Sequence, residues 1–210
     1  MQPWSVVVPA KRLESAKTRL ASLTGPLAGG SHEQLVLALL ADTVSAALAS
    51  PAVGRVLVVT DDPRAAALVA ALGARTTPDE PRSGLNAALA HGARVAGPGP
   101  LAALHSDLPA LHPDELDAAL TAAAGHVRSF VPDAAGTGTT LLAVRSGDLA
   151  PRFGPGSAAA HATGGAIPLD GDWPGLRQDV DTPADLRAAR RIGVGQRTAG
   201  FLSATRWTPG

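Results

Sequence analysis

Residues 55–63 have the sequence Arg-Val-Leu-Val-Val-Thr-Asp-Asp-Pro, and this stretch decides the fold class. The apolar, β-branched run 55–60 predicts a strand that is buried on both faces of a sheet. Asp61, Asp62 and Pro63 then predict the start of a helix, because aspartate caps free backbone N–H groups and proline fits the first helical turn. A strand that leads directly into a helix indicates an α/β fold.

The same alternation of strand and helix continues on both sides of this stretch. Upstream, the apolar run 4–8 predicts a buried strand, and the spacing of the leucines predicts a helix over 31–49 with Ser31 as its N-cap. Downstream, the predicted elements are a helix over 63–72, a strand over 74–77, a helix over 83–95, a strand over 100–105 and a helix over 113–123. This βαβα succession predicts a mostly parallel sheet with helices on both faces.

The last part of the domain departs from this alternation. Residues 127–131 and 140–145 predict two strands, and the glycine-rich connection between them is too short for a crossover helix, so the strands pair antiparallel. Further on we expect a helix over 157–163, an extended piece over 178–181 and a helix over 183–191. We therefore expect one three-layer, Rossmann-like α/β domain over 1–192 with an antiparallel hairpin or edge strand, and a flexible tail over 193–210.

Composition excludes several classes of function. The 210 residues contain 18 Lys plus Arg and 18 Asp plus Glu, so no net charge attracts polyanions and nucleic acid is not an expected partner. The absence of cysteine excludes disulfides, a thiolate nucleophile and a cysteine-ligated metal. No apolar stretch reaches the ~20 residues of a membrane span, and no secretory signal is evident, so we expect a cytoplasmic protein. Nothing in the sequence indicates an oligomeric state.

Three aspartates are candidates for metal binding. Asp107 directly follows a predicted buried strand, while Asp179 and Asp181 alternate in an extended segment, so that both carboxylates point to one face. Two like charges about 4 Å apart repel by roughly 4 kcal/mol at an effective dielectric constant of about 20, so clustered carboxylates favour a cation. Oxygen-only ligands favour Mg²⁺ or Mn²⁺, and two such ions could bracket a transferring phosphoryl group. Asp181 or Thr182 also makes a good N-cap for the helix that starts at Pro183, so Asp181 has a structural explanation as well.

A cluster of basic residues follows the first predicted strand. Its members are Lys11, Arg12, Lys17 and Arg19. In α/β nucleotide-binding folds this strand-to-helix loop is where phosphates are commonly held. The loop lacks the glycine pattern of a P-loop, so cationic side chains would have to balance a triphosphate. The alternative interpretation is a solvated basic loop.

Three segments rich in Gly, Ser and Thr are weaker candidates. Residues 136–140 and 153–157 could form a small anion site from backbone N–H groups and hydroxyls, although each is also an ordinary turn. In Ser83-Gly-Leu-Asn86, Gly84 and Asn86 mark a helix start or contact the base or ribose of a nucleotide. No Ser/His/Asp arrangement stands out and the six histidines lack metal-ligand spacing. The absence of such arrangements is consistent with a phosphate nucleophile, because a phosphate monoester is largely dianionic at neutral pH and needs no general base.

These motifs together resemble one enzyme family. They are Val8-Pro-Ala-Lys11, Ala16-Lys-Thr-Arg-Leu20, Gly84-Leu-Asn-Ala-Ala88, His105-Ser-Asp-Leu-Pro109, Gly136-Thr-Gly-Thr-Thr140, Arg152-Phe-Gly-Pro-Gly-Ser157 and Asp179-Val-Asp-Thr-Pro183. In this order, over about residues 4–191, they resemble the 2-phospho-L-lactate/phosphoenolpyruvate guanylyltransferases of coenzyme F420 biosynthesis.

The resemblance implies a fold, a reaction and a metal site. The fold is that of the molybdenum-cofactor-type nucleotidyltransferases, and the reaction joins GMP from GTP to a small phosphorylated acid with release of pyrophosphate. The implied ligands of the Mg²⁺ ions are Asp107, Asp179 and Asp181. With Asp107, the candidate catalytic residues are Lys11 and Lys17, which would offset the charge of the triphosphate.

The resemblance also implies which residues contact the phosphorylated three-carbon acid. These are Thr139, Gly154 and Ser157, and Thr140 replaces Thr139 if the local alignment shifts by one residue. The chain departs from the wider superfamily in its first loop, where Pro9-Ala-Lys-Arg-Leu13 stands in place of a glycine-rich segment, as in the F420 branch. The contacts of Lys11, Lys17 and Arg19 with GTP are therefore inferred. The composition, rich in Ala, Gly and Arg, is typical of a bacterium with a high-GC genome. Within the family this favours phosphoenolpyruvate over 2-phospho-L-lactate as the acid.

Two other functions remain open at this point. Asp179-Val-Asp181 could be the metal-binding D-x-D of a glycosyltransferase that uses a nucleotide sugar, although that motif typically occurs near the middle of such chains. A non-catalytic α/β domain that senses a nucleotide or a phosphoacid would bind the same ligands without turnover.

Overall fold

The computed structural model describes residues 2–10 and 29–205, with side chains from residue 32 onward in the second range. Within these ranges, seven strands form one sheet. The strands are β1 (Trp4–Pro9), β2 (Val53–Val59), β3 (Arg75–Thr77), β4 (Leu101–Leu104), β5 (Arg128–Pro132), β6 (Thr139–Val144) and β7 (Ile167–Pro168). The short strand β7 was not predicted from the sequence, because two residues carry no readable alternation.

The helices lie mostly where periodicity and capping residues place them. They are α1 (Gly29–Ala49), α2 (Pro63–Ala71), α3 (Leu85–Ala96), α4 (Pro113–Ala123), α5 (Ser157–Thr163), α6 (Pro174–Arg177), α7 (Pro183–Ile192) and α8 (Gln196–Ala204). Asp62 caps α2 by accepting from the backbone N–H groups of Arg64 and Ala65, as the sequence predicts. None of the described helices combines the length and apolarity that crossing a membrane would require.

The order of the strands defines where a ligand can bind. Across the sheet the order is β3-β2-β1-β4-β6-β5-β7. β1 pairs parallel with both β2 and β4, and β6 pairs antiparallel with both β4 and β5. The chain runs from β1 to β2 and β3 on one side and then returns to β4 on the other, so the switch point lies between β1 and β4. Sheets of this kind bind ligands beyond the carboxyl ends of the strands at that point. The predicted α/β class, with a mostly parallel sheet and an antiparallel strand, is confirmed.

The sheet is buried on both faces, which makes three layers. Alternate residues of β1 belong to different cores: Val6 and Val8 pack with Val44 of α1, while Val7 packs with Leu89 of α3. Helices α1, α2 and α4 cover the first face, and α3 and α5 cover the second. The continuous apolar runs of the central strands follow from this two-sided burial.

The structure differs from the expected flexible tail. Helix α8 packs against α1, where Leu202 joins a small core with Leu35 and Leu39. The buried carboxylate of Asp42 on α1 accepts from the backbone N–H groups of Arg197 and Thr198 at 3.0 and 2.8 Å, and so satisfies the first turn of α8. The expectation of disorder from Gly193 onward was therefore wrong for this helix, because a residue 155 positions away in sequence supplies its cap.

Candidate active site at the carboxyl edge of the sheet

The segments that carry Asp107 and Asp179 lie side by side at the switch point. Strand β4 ends at Leu104, and the chain continues through His105 to Asp107, whose side chain is mostly buried. The backbone N–H of Val180 donates to the backbone oxygen of Asp107 at 3.1 Å. Val180 is buried, so this contact fixes the segment 178–181 against the end of β4. Two regions more than 70 residues apart in sequence thus meet at one edge of the sheet.

The side chains of these two aspartates flank one imidazole. Nδ1 of His105 lies 3.6 Å from Oδ1 of Asp107 and 3.9 Å from Oδ2 of Asp179. The ring of His105 packs against Phe153, with ring centroids 5.3 Å apart. Both carboxylates therefore face the same small volume beyond the end of β4. Mg²⁺ in nucleotide enzymes usually takes one or two carboxylates, and water and phosphate oxygens complete its shell, so this pair fits such an ion.

Asp181 differs from this pair in its exposure. Its side chain is exposed, and its backbone N–H donates to Oδ2 of Asp185 at 3.2 Å. The N-cap of α7 is Thr182, which forms a capping box with Asp185, so Asp181 is not the cap. Across residues 2–10 and 29–205, no group of three or more His, Cys, Asp or Glu side chains is arranged to hold a metal. The metal-binding role of all three aspartates stays a prediction, and the geometry favours Asp107 and Asp179.

The three residues expected to contact the acid lie in one hydrogen-bonded unit beside this pair. Thr139 starts β6, Gly154 lies in the turn before α5, and Ser157 is the first residue of α5. The N–H of Ser157 donates to the oxygen of Gly154 at 3.0 Å, and the N–H of Ala158 donates to the oxygen of Thr137 at 3.1 Å. These bonds tie the loop before β6 to the turn before α5.

Thr139 and its neighbour Thr140 point to opposite faces of β6. The Thr139 hydroxyl lies 2.9 Å from Nδ1 of His161 on α5, whereas the Thr140 hydroxyl donates to the oxygen of Val131 within the sheet at 3.5 Å. Only Thr139 therefore faces the unit that contains Gly154 and Ser157. The contact of these residues with an acid stays a prediction, and the geometry favours Thr139 over Thr140.

His161 is a site residue that sequence reasoning missed. It is buried, its Nε2 accepts from the backbone N–H of Arg152 at 2.9 Å, and its ring lies between Phe130 and Phe153. Burial, together with the positive charges of Arg128 and Arg152, lowers the pKa of His161 to about 4. The imidazole is therefore neutral at physiological pH. The sequence signal was faint: Ser157 and His161 are four residues apart and so share one face of a helix.

This shifted pKa predicts a pH-dependent stability. An unfolded histidine protonates near pH 6.5, so between about pH 6.5 and 4 the unfolded chain binds a proton that the folded chain excludes. The free energy of unfolding should therefore fall as the pH decreases through this range, by about 2 kcal/mol from this group. Denaturant unfolding at pH 7.5 and 4.5 measures the loss. His161→Gln, which does not titrate, should show a smaller loss, and an identical pH slope in both proteins would contradict the assignment.

Asn86 holds the turn before α5 through the backbone of Phe153. Its Oδ1 accepts from the N–H of Phe153 at 2.8 Å, and its Nδ2 donates to the oxygen of Phe153 at 3.0 Å. Gly84, two residues before it, is the N-cap of α3. Both side-chain bonds of Asn86 thus go to the backbone of the turn before α5. Contact of Gly84 or Asn86 with a nucleotide stays a prediction.

The basic loop lies outside the described residues. Lys11, Lys17 and Arg19, with Arg12, follow Ala10, whose N–H donates to the oxygen of Val59 at 2.9 Å. The chain therefore enters the loop at the carboxyl end of β1, next to β4. The proposed contacts of these cations with a triphosphate stay predictions.

Two solved structures share this fold with the chain. The chain aligns over 98% of its length with 96% of a Desulfovibrio desulfuricans protein described as a nucleotide-diphospho-sugar transferase, at a TM-score of 0.74 and 18% identity. A CMP:2-keto-3-deoxy-manno-octonic acid synthetase complexed with CTP aligns with 90% of the chain and 98% of its own, at a TM-score of 0.57 and 19% identity. At these identities the similarity concerns the fold, which is that of the α/β nucleotidyltransferases.

Sequence relatives narrow this class to a family. The family described as "Guanylyl transferase CofC like" matches residues 4–165, so the chain belongs to it. The phosphoenolpyruvate guanylyltransferase of Geodermatophilus obscurus is 64% identical over 96% of this chain and 95% of its own. The Salinispora arenicola enzyme of the same name is 57% identical over 94% of this chain and 92% of its own. The Streptomyces coelicolor enzyme of that name is 54% identical over 93% of this chain and 94% of its own. The family resemblance inferred from the motifs is confirmed.

Proposed function

We propose that this chain transfers GMP from GTP to phosphoenolpyruvate and releases pyrophosphate, in a Mg²⁺-dependent step of coenzyme F420 biosynthesis. A phosphate oxygen of the acid attacks the α-phosphorus of GTP and forms the new P–O bond. The bond between the α-phosphorus and the α,β-bridging oxygen breaks, and that oxygen leaves with its electron pair on pyrophosphate. The acid phosphate is already deprotonated at neutral pH, so the protein has to align the reactants and offset their charge.

One observation carries this proposal: the carboxylates of Asp107 and Asp179 face the same volume beyond the carboxyl end of β4. A magnesium ion held there would neutralise phosphate charge and polarise the α-phosphate. Contacts within the chain position the two carboxylates. The bond from Val180 to Asp107 sets the spacing of the two carboxylate segments, and Nδ1 of His105 lies within 4 Å of an oxygen of each carboxylate.

Both substrates would flank this pair. Lys11, Lys17 and Arg19 would offset the triphosphate from the loop after β1. Thr139, Gly154 and Ser157 would hold the acid, since they form one hydrogen-bonded unit on the β6 side of the switch point.

The relatives support the choice of acid. Those that share 54–64% identity with this chain are named for phosphoenolpyruvate, which favours it over 2-phospho-L-lactate. Family membership also favours nucleotidyl transfer over the glycosyltransferase and sensor hypotheses. The expected cytoplasmic location, and the expectation that nucleic acid is not a partner, stay predictions.

The test is pyrophosphate release by the purified full chain. With GTP, Mg²⁺ and phosphoenolpyruvate, we expect one pyrophosphate for each GTP consumed, and a smaller rate with 2-phospho-L-lactate. ATP, CTP and UTP should give little product, and UDP-sugars should not be consumed. Absence of pyrophosphate with either acid, while a coupled positive control works, would overturn the proposal.

A further inference from the structure

The hydrogen bonds of His161 determine which of its nitrogens carries the proton. Nε2 faces the backbone N–H of Arg152 at 2.9 Å, and an amide N–H can only donate, so Nε2 is an acceptor without a proton. In a neutral imidazole the single proton is then on Nδ1. Nδ1–H therefore donates to the hydroxyl oxygen of Thr139, which lies 2.9 Å away.

In this arrangement the hydroxyl proton of Thr139 does not point toward His161. Because the oxygen of Thr139 accepts from His161, its own O–H must find a separate acceptor. Within the described part of the chain, no hydrogen bond uses that proton. Thr139 is buried, with 1% of its surface exposed. A buried hydroxyl donor without an acceptor destabilises the protein, and an acceptor brought by a ligand removes that cost.

We propose that His161 is a positioning residue that presents the Thr139 hydroxyl as a hydrogen-bond donor to an anionic oxygen of the phosphorylated acid. This inference rests on the proposed function, because it identifies the ligand as the acid of that reaction. The same imidazole holds the backbone of Arg152, two residues before Gly154. It shares the buried face of α5 with Ser157. His161 thus sets the relative position of all three groups expected to hold the acid.

The ring is held in place by packing as well as by its two hydrogen bonds. Its centroid lies 5.1 Å from that of Phe153 in an edge-on contact and 5.9 Å from that of Phe130. A flip of the ring would replace each nitrogen by a carbon and so break the contacts with both Thr139 and Arg152. The donor on Thr139 is therefore present before the acid arrives, which lowers the ordering cost of binding.

Two substitutions separate the two hydrogen bonds. In His161→Gln the amide oxygen can replace Nε2 and still accept from Arg152, but no donor reaches Thr139. In His161→Asn the amide nitrogen can replace Nδ1 and still donate to Thr139. We expect His161→Gln to raise the KM for phosphoenolpyruvate roughly tenfold, with kcat and the KM for GTP within about twofold of wild type. His161→Asn should raise it less.

Thr139→Val tests whether His161 acts through the hydroxyl. This isosteric change should raise the KM for the acid by about the same factor, and the double variant should be no worse than either single one, as expected for residues that act as a unit. His126→Gln, at the turn between α4 and β5, is the matched control and should leave both KM values unchanged. Independent additive effects, or equal losses for GTP and the acid together with a lower Tm, would overturn the positioning role.

The tautomer can be measured without any variant. In ¹⁵N-resolved NMR of the wild-type chain between pH 6 and 8, His161 should be protonated at Nδ1 and unprotonated at Nε2. An Nε2–H tautomer would overturn the inference, even if the variants fail to fold. If the wild-type protein releases no pyrophosphate, the proposed function is wrong. If the wild type is active and His161→Gln leaves the KM for phosphoenolpyruvate unchanged, only the role of His161 is wrong.

Discussion

Replacing Asp107 by asparagine should lower the rate of pyrophosphate release from GTP and phosphoenolpyruvate at least a hundredfold, a loss of roughly 3 kcal/mol of transition-state stabilisation. Asparagine has the same shape but lacks the negative charge that would hold a divalent cation beside Asp179. The backbone bond from Val180 to residue 107 does not involve the side chain, so it should persist. Steady-state kinetics at saturating Mg²⁺ measures the loss.

The stability of this variant separates a metal role from a structural one. We expect the Tm of Asp107→Asn to stay within about 3 °C of wild type, because removing one carboxylate from a close pair also relieves repulsion. Asp148→Asn is the control, since Asp148 is exposed in the turn that follows β6, and it should retain full activity. Near wild-type turnover by Asp107→Asn would refute the metal role.

Replacing Gly175 by alanine should destabilise the fold and reduce activity together. A methyl group on Gly175 would lie 2.7 Å from the carbonyl carbon of Ala110 and closer still to its oxygen. That contact is with backbone, so no side-chain rotation can relieve it. Ala110 follows Asp107 by three residues, and Gly175 precedes Asp179 by four, so the methyl group would push apart the two segments that carry the carboxylates.

The expected cost is roughly 2–3 kcal/mol of unfolding free energy, because only a shift of the backbone can relieve the clash. Two of its N–H groups, from Gly175 and Leu176, donate to the Glu115 carboxylate at 3.1 and 2.8 Å, and a shift of α6 would strain both bonds. Gly200→Ala on α8, where a methyl group meets nothing within 4 Å, is the matched control and should be neutral or slightly stabilising. If Gly175→Ala matched that control in both Tm and turnover, the close approach of the two segments would not be required for stability or activity.

Much of the fold could be predicted because local and global signals agree. The continuous apolar runs of β1, β2 and β4 fit strands that are buried on both faces, and Asp62 with Pro63 marks the start of α2 where the structure has it. The short connection between β5 and β6 fits their antiparallel pairing. The position of Asp107 follows from a general property of parallel sheets, because Asp107 comes after the carboxyl end of β4. Asp179 instead follows helix α6, and the bond from Val180 to Asp107 brings it to this edge.

The features that were missed depend on contacts between distant parts of the chain. The cap of α8 is supplied by Asp42, so the sequence of α8 itself, with its Gly and Thr, carries no helical signal. The role of Asn86 depends on the backbone of Phe153, 67 positions later. His161 has no metal-ligand spacing because its partners are a hydroxyl and an amide, and these are recognisable only once α5 is placed against β6.

The most direct test of the account is the location of a divalent cation in crystals of the full chain grown with GTP and Mn²⁺, in which anomalous scattering identifies the metal. The account predicts a manganese ion within coordination distance of oxygen atoms from both Asp107 and Asp179 and of the GTP phosphates. Manganese bound only at other residues, or no manganese at this edge of the sheet while GTP is bound, would contradict it.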